Sequence, residues 1–371
     1  MTALGAAAED GAMNQLQHVL TGSEVESHTV LGQRNGAVVA RTKRSLPQRI
    51  GRGLISVLGV VVVLGFAGAV YESVAEAADA RAYPPAGQMV DVGGYRLHIN
   101  CIGTGSPTVV IDAGWGDSSA AWSSWVQAPA ARTTRVCTYD RAGMGYSDPG
   151  PLPRTAERFA RELHALLSGA GEPGPYVLVG HSLGGLPVRV FAHEYAADVA
   201  GVVLIESMSP SSAKRSSSAT PEDSESHSFA DWAVTLPART GLLRSLSGPL
   251  DAYHGLSPEA ANAYSSFWIT PRALQTWLDE GKGMPQSMAQ AGAVTSFGDT
   301  PLIVLSSGRK VELEQDWRTW QTELLGLSTN SQQLFADKSG HNVEFDEPEA
   351  AVAAIEKMVE LTRVQPGVAG R

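Results

Sequence analysis

Cysteine is nearly missing from this chain: two residues in 371 exclude a disulfide-dense scaffold, and no Cys/His group has zinc-site spacing. His-Glu-x-x-His is absent as well, so no sequence feature calls for a metal. Basic charge is also scarce. Twenty-eight Lys and Arg stand against 38 Asp and Glu, a formal net charge of −10, and no basic patch is interleaved with aromatics. That balance argues against a nucleic-acid partner. Charged residues make up 18% and apolar residues 43%, globular values with ample material for a core. One nineteen-residue stretch, Gly53 to Tyr71, carries no charge at all.

As a helix rising 1.5 Å per residue, that stretch would be about 28 Å long, close to the hydrocarbon thickness of a bilayer. It is apolar on every side, which disfavours a core helix with one polar face. Arg41, Lys43, Arg44, Arg49 and Arg52 precede it, and Glu72, Glu76 and Asp79 follow. The positive-inside rule then places the N-terminus in the cytoplasm and the remainder outside. A cleaved, secreted form is the alternative. Ala75-Glu76-Ala77 offers a small-x-small site, but the 52 residues ahead of the apolar run are long for a signal peptide. Thr42-Lys43-Arg44-Ser45-Leu46 faintly echoes a twin-arginine signal, with Lys at the first Arg position. The expected organisation is a disordered cytoplasmic segment (1–52), a transmembrane anchor (53–71) and a linker (72–88). An α/β core (89–207 and 299–371) follows, with an inserted lid (208–298).

Residues 175–185 read Pro-Tyr-Val-Leu-Val-Gly-His-Ser-Leu-Gly-Gly. An apolar β-prone run ends in Gly-x-Ser-x-Gly and a helix-capable segment follows, the pattern of a sharp strand-to-helix turn that lifts Ser182 above a parallel sheet. Gly180 and Gly184 leave room for strand and helix to pack closely around a strained residue. With 39 glycines in the chain, the bare pattern could arise by chance; its strand-and-helix context gives it meaning.

Short apolar runs at 95–101, 108–111, 134–139, 176–179, 202–205 and 302–305 alternate with helical patterns at 120–131, 155–170 and 186–195. That alternation predicts a mostly parallel, doubly wound sheet with its site at the carboxyl ends of the strands. Run 95–101 alternates as a half-exposed strand. The alternation breaks after Ser207. A polar run, with 211–226 expected to be disordered, leads to helical pieces at 232–246 and 258–281 that read as a lid.

A serine hydroxyl needs an adjacent base. His341, in Ser339-Gly340-His341-Asn342 between a short strand (333–335) and a final helix, lies at the sheet edge of the elbow and follows the chain order serine, acid, histidine. His98, His164 and His193 read as structural, and His181 as pointing away from the chemistry. The acid is less direct. The turn where it is usually found reads Gly308-Arg309-Lys310-Val311, with Val311 at the acid's place, and Glu312 and Glu314 follow at the start of a helix expected over 312–325. Glu206, at the tip of the strand at 202–205, needs a partner to justify its burial and is favoured; Glu312 and Glu314 are the alternatives. Two backbone N–H groups are expected to form an oxyanion hole: Leu183, just after the serine, and Trp115 in Asp112-Ala113-Gly114-Trp115-Gly116.

With the Gly180–Gly184 elbow, the Asp140-Arg141-Ala142-Gly143-Met144-Gly145-Tyr146-Ser147 loop, Gly114-Trp115-Gly116 and Ser339-Gly340-His341, the chain resembles the α/β-hydrolase superfamily from about Val90 to Leu361. It looks most like membrane-anchored bacterial members. The resemblance implies Ser182, His341 and an acid as a triad, with Trp115 and Leu183 as oxyanion donors. Ala113 stands where the family usually has His, and Val311 where it usually has the acid, although some relatives carry a Glu at the place of Glu206. Dehalogenases and epoxide hydrolases of this fold use an Asp nucleophile, against which Ser182 argues. The family's sheet order makes the strands of Cys101 and Cys137 neighbours, so that a disulfide or two buried thiols would be found there.

The expected activity is hydrolysis of carboxylic esters, as a carboxylesterase or lipase, on a small-molecule or lipid ester and without a cofactor. Alternatives on the same triad are a proline-type peptidase, a perhydrolase or a C–C hydrolase; a non-catalytic binding protein is a rival of another class.

Overall fold

Runs rich in Val, Ile and Leu, buried on both faces, form the centre of an eight-stranded sheet in the computed structural model. The structure describes residues 33–34, 37–38, 46–215, 226–246 and 258–364. Two compact units are distinguished, residues 1–64 and 65–371. The described part of the first is a two-residue antiparallel pair, Gln33–Arg34 with Ala37–Val38, and the start of helix α1 (Leu46–Ala82).

Helix α1 is long and apolar enough to cross a membrane, and its most apolar window is wholly unburied. It is longer than the sequence suggested. Residues 46–52, expected to be disordered, and 72–82, expected to be linker, are helical. Ala-rich sequence with little Gly or Pro between Glu72 and Ala82 gives the helix no reason to stop earlier. Of the segment expected to be disordered ahead of the helix, 33–34 and 37–38 form the strand pair and the rest up to 45 lies outside the described residues; of 211–226, residues 211–215 belong instead to a short 3-10 helix (Pro210–Arg215) and 216–225 lie outside those described.

In the second unit the sheet order is β1-β2-β4-β3-β5-β6-β7-β8. The strands are β1 (Gln88–Asp91), β2 (Arg96–Ile102), β3 (Thr108–Asp112), β4 (Val136–Tyr139), β5 (Tyr176–His181), β6 (Val199–Ile205), β7 (Leu302–Ser307) and β8 (Ser331–Ala336). Strand β2 runs antiparallel to both β1 and β4, and all other pairings are parallel. Strand β1 was not expected from the sequence, and its short Gln-Met-Val-Asp run carries little strand signal. Nor does β2 simply alternate. His98 is buried on what should have been a solvent face, because Asp140 Oδ2 lies 2.8 Å from its Nδ1. Cys101 and Cys137 are register partners on β2 and β4 and are joined by a disulfide.

The remaining core helices are α2 (119–130, with a π-helical middle, Ser123–Gln127), α3 (Ala156–Ala170) and α4 (Gly185–Glu194). Between β6 and β7 lies a helical insertion of α5 (Phe229–Arg239), α6 (Leu242–Leu246), α7 (Pro258–Trp268) and α8 (Pro271–Ala293). Each expected lid helix is divided, the first at Thr240-Gly241 and the second at Ile269-Thr270. The Thr270 hydroxyl accepts from the amide of Ala273 and so starts α8. After β7 come α9 (Gly308–Leu313) and α10 (Gln315–Leu324), then after β8 α11 (Val343–Asp346) and α12 (Pro348–Val364). One apolar cluster packs α3, α4 and α8 on one face of the sheet; another packs α2 and α12 on the other. This is the α/β-hydrolase architecture, with the lid after the sixth strand.

Candidate active site

Strand β5 delivers Ser182 into a backbone conformation that a serine rarely adopts, with φ of 51°. The glycines on either side make the turn possible. A Cβ on Gly180 would lie 2.7 Å from the Gly184 carbonyl oxygen and from Cα of Gly185, and one on Gly184 would lie 2.3 Å from the Asp112 carbonyl oxygen. Strand, turn and α4 can therefore close on β3 only without side chains at these two places. Ser182 is 8% exposed.

The loop after β8 brings His341 over the serine. Its Nε2 lies 2.9 Å from Ser182 Oγ. Its Nδ1 lies 3.4 Å from Oε2 of Glu206, at the tip of β6. Glu206 is fully buried and also left-handed, with φ of 46°. Its Oε1 accepts the Ser307 amide at 2.6 Å and the Trp317 indole N–H at 3.1 Å. The neighbouring turn is tied down: Ser207 Oγ donates to the Gly180 carbonyl, Met208 N–H to the Ser182 carbonyl, and Gln321 to the Ser207 carbonyl. Trp317 stands edge-on to the His341 ring, and the Lys310 ammonium lies 3.4 Å above its indole. Burial pulls the His341 imidazole below the usual histidine range, against the opposing hydrogen bond that the ring donates to Glu206. Glu312 and Glu314, the alternative acids, are exposed, and among the described residues the carboxylate that meets His341 Nδ1 is that of Glu206. The Trp317 and Ser307 donors escaped the sequence reading; a buried carboxylate at a strand tip was the one signal that such donors must exist.

The loop after β3 lies beside the serine. A Cβ on Gly114 would meet His181 and Ser182. Among the described residues the N–H of Trp115 has no acceptor, and Leu183 sits in the first turn after Ser182, where no intrahelical acceptor is available. The loop is held from below by a buried charge cluster that the sequence reading missed. Arg141 contacts Asp112 at 2.6 Å and Glu280 at 2.7 Å, and donates to the carbonyls of Ala113 and Gly114. Glu280 on α8 in turn accepts the Gly116 amide at 2.9 Å. Burial pushes the Asp112 carboxyl up to about 6. From the lid side, the Trp115 indole stacks on Trp277 at 4.7 Å and donates to its carbonyl. The Asp140–Ser147 loop therefore serves two purposes. Asp140 secures His98 and starts α2 at the Ser119 amide, while Arg141 fixes the loop beside Ser182.

His181 corrects an expectation. Rather than pointing away, it lines the cavity at Ser182, and its Nε2 donates to the His341 carbonyl at 3.0 Å. Burial lowers its imidazole to about 4, so it is a neutral ring. His98, His164 and His193 lie elsewhere; His164 stacks on Tyr195.

The alpha/beta hydrolase family matches residues 109–355. An uncharacterized protein of Bacillus subtilis, YqjL, is 28% identical over 256 residues, 68% of this chain and 83% of the relative. An AB hydrolase superfamily protein of Gibberella zeae is 26% identical over 290 residues, 69% of this chain and 87% of the relative. Other curated relatives are matched over a smaller part of their length, as little as 18% in one of them. Among solved structures, a thermophilic esterase from Thermogutta terrifontis superposes with a TM-score of 0.55 at 19% identity, covering 74% of this chain and 98% of the esterase.

Proposed function

Because the chain belongs to the alpha/beta hydrolase family, we propose that it is a serine hydrolase that cleaves carboxylic esters through an acyl-enzyme. One observation carries this reading: a left-handed Ser182 whose Oγ is 2.9 Å from His341 Nε2, with Glu206 on the far side of the same ring. Ser182 Oγ attacks the ester carbonyl while His341 Nε2 takes its proton. Glu206 orients the ring and stabilises the imidazolium. The N–H groups of Trp115 and Leu183 receive the negative charge on the carbonyl oxygen, where each such donor is worth about 2.7–4 kcal/mol. Collapse expels the alcohol, which takes the proton from His341. A water molecule, deprotonated by the same ring, then releases the acid and restores Ser182. Peptide, peracid and C–C substrates could use the same groups, but esters need the least help with their leaving group.

The test is covalent labelling with a fluorophosphonate, followed by a panel of p-nitrophenyl esters. A phosphonyl adduct at Ser182 that disappears in Ser182→Ala supports the reading, and an unlabelled folded protein excludes it.

The enzyme is proposed to be a single-pass membrane protein whose catalytic unit faces away from the cytoplasm. The basic flank before Gly53, the acidic flank after Tyr71 and the Cys101–Cys137 disulfide support this orientation. Protease added to intact cells should digest the catalytic unit; digestion only after lysis would reverse the topology.

A further inference from the structure

The catalytic groups do not account for everything in the cavity beside Ser182. Its volume is about 230 Å³, below the range of roughly 300–1,000 Å³ of drug-sized sites, so it receives a small group. Trp115, Tyr264, Trp268 and Phe345 supply aromatic walls, and Asp117 and Glu344 supply two carboxyls. Both acids are buried, at 9% and 1% exposure. Among the described residues no Lys or Arg lines the cavity, and the guanidinium of Arg141 is taken up by Asp112, Glu280 and two loop carbonyls. His181 is neutral. Asp117 accepts the Ser118 amide and a hydrogen bond from Tyr264, whereas Glu344 Oε2 has no hydrogen-bond partner among the described residues. His181 Nε2, 3.6 Å away, is already committed to the His341 carbonyl.

A purely structural carboxyl pair would be expected to have its oxygens satisfied by the protein. A buried carboxyl oxygen left without a hydrogen-bond partner at a cavity wall, beside a second acid and among aromatic faces, is arranged for a positive charge. We infer that this cavity binds a cationic nitrogen, and that the preferred substrates are esters carrying an ammonium group close to the scissile carbonyl. The inference rests on the serine-hydrolase reading for the word substrate, but the cation site itself does not depend on it. The protonation of the acids agrees with it. Burial holds Asp117 up to about 7 and Glu344 up to about 8, and a bound cation would let both ionise. Asp117 faces Glu344, Tyr264 and, behind the loop, Arg141; Glu344 faces Asp117, His181 and Asp346.

Two isosteric ester pairs test this on the full-length protein in detergent. In one, charge sits on the alcohol: 2-(trimethylammonio)ethyl acetate against 3,3-dimethylbutyl acetate. In the other it sits on the acyl group: ethyl trimethylammonioacetate against ethyl 3,3-dimethylbutanoate. With each kcat/KM normalised to the ester's own hydroxide rate, at least one charged ester should be favoured tenfold or more. Asp117→Asn and Glu344→Gln should each cut that preference severalfold. Equal rates within both pairs, or a preference that survives both substitutions, would overturn the inference. Choline binding, followed by tryptophan fluorescence and by proton release in calorimetry at pH 7.5, keeps the site testable if neither ester turns over. Binding of choline with proton release, and none of 3,3-dimethylbutanol, supports the cation site even if Ser182 takes no fluorophosphonate. Labelling of Ser182 without choline binding rejects the cation site and leaves the hydrolase reading intact. Should either variant fail to fold, the comparison within each wild-type pair still decides.

Discussion

Ser182 and Glu206 stand at the tips of two adjacent parallel strands and share a left-handed backbone, with φ of 51° and 46°. The first conformation lifts a hydroxyl out of the sheet; the second turns a carboxylate back beneath the histidine. Both turns are tied together, since the amide of Met208 donates to the carbonyl of Ser182. Glu206→Gln should therefore act on orientation and charge without unfolding the tip. We expect kcat to fall about 10⁴-fold, as for neutralising the acid of a serine-hydrolase triad, while Glu314→Gln stays within about twofold. Ester kinetics on both variants decide the matter, and a large loss in Glu314→Gln alone would move the acid to the loop after β7.

Trp317 is a positioning residue, because its indole N–H reaches Glu206 and touches no reacting atom. Trp317→Phe keeps the ring and removes the donor. The expected result is a kcat loss of about tenfold, in line with a hydrogen bond to a charged group, with KM unchanged. A change confined to KM would contradict this role.

Burial lowers the His341 imidazole, which fixes the acid limb of the rate profile. A depressed value keeps the ring neutral, and so basic, at pH values where an ordinary histidine would be half protonated. As pH falls, kcat/KM should halve below pH 6.5. Bell curves measured with a neutral ester check this. A limb above 6.5 would mean that Glu206 outweighs the burial of the ring and the influence of His181 and Lys310.

The charge cluster under the loop after β3 predicts a stability defect. Arg141→Met strands Asp112 and Glu280, and breaking a buried pair from one side costs about 3–5 kcal/mol. Denaturant unfolding of the two proteins should differ by that amount, and the Ser182 labelling rate should fall with it. A variant as stable as the parent would mean that the acids simply protonate.

Much of this was legible in the chain because its signals are local. A Gly-x-Ser-x-Gly between strand and helix, Val/Ile runs alternating with helices, and Ser339-Gly340-His341 after a strand can each be read within a dozen residues. What escaped depends on distance in sequence. Arg141 meets Glu280 across 139 positions and Trp317 meets Glu206 across 111. His181 was misjudged for the same reason, since its partner is a carbonyl 160 residues away. Strand β1 was missed because a four-residue edge strand needs little hydrophobic pattern, and the divided lid helices because a threonine cap is easily overlooked within a longer helical run.

Helix α1 has a practical consequence beyond its apolar span. Arg244 of α6 closes on Glu72 and on Asp79, and Glu72 is 3% exposed in a helix whose apolar part is bare. Residues 72–79 are thus a wall of the lid rather than a tether to it. A water-soluble version of the enzyme begun at residue 88, where the sheet starts, would lose that wall and strip Arg244 of both these carboxylates. One begun near residue 70 would discard most of the greasy span and carry the lid away whole.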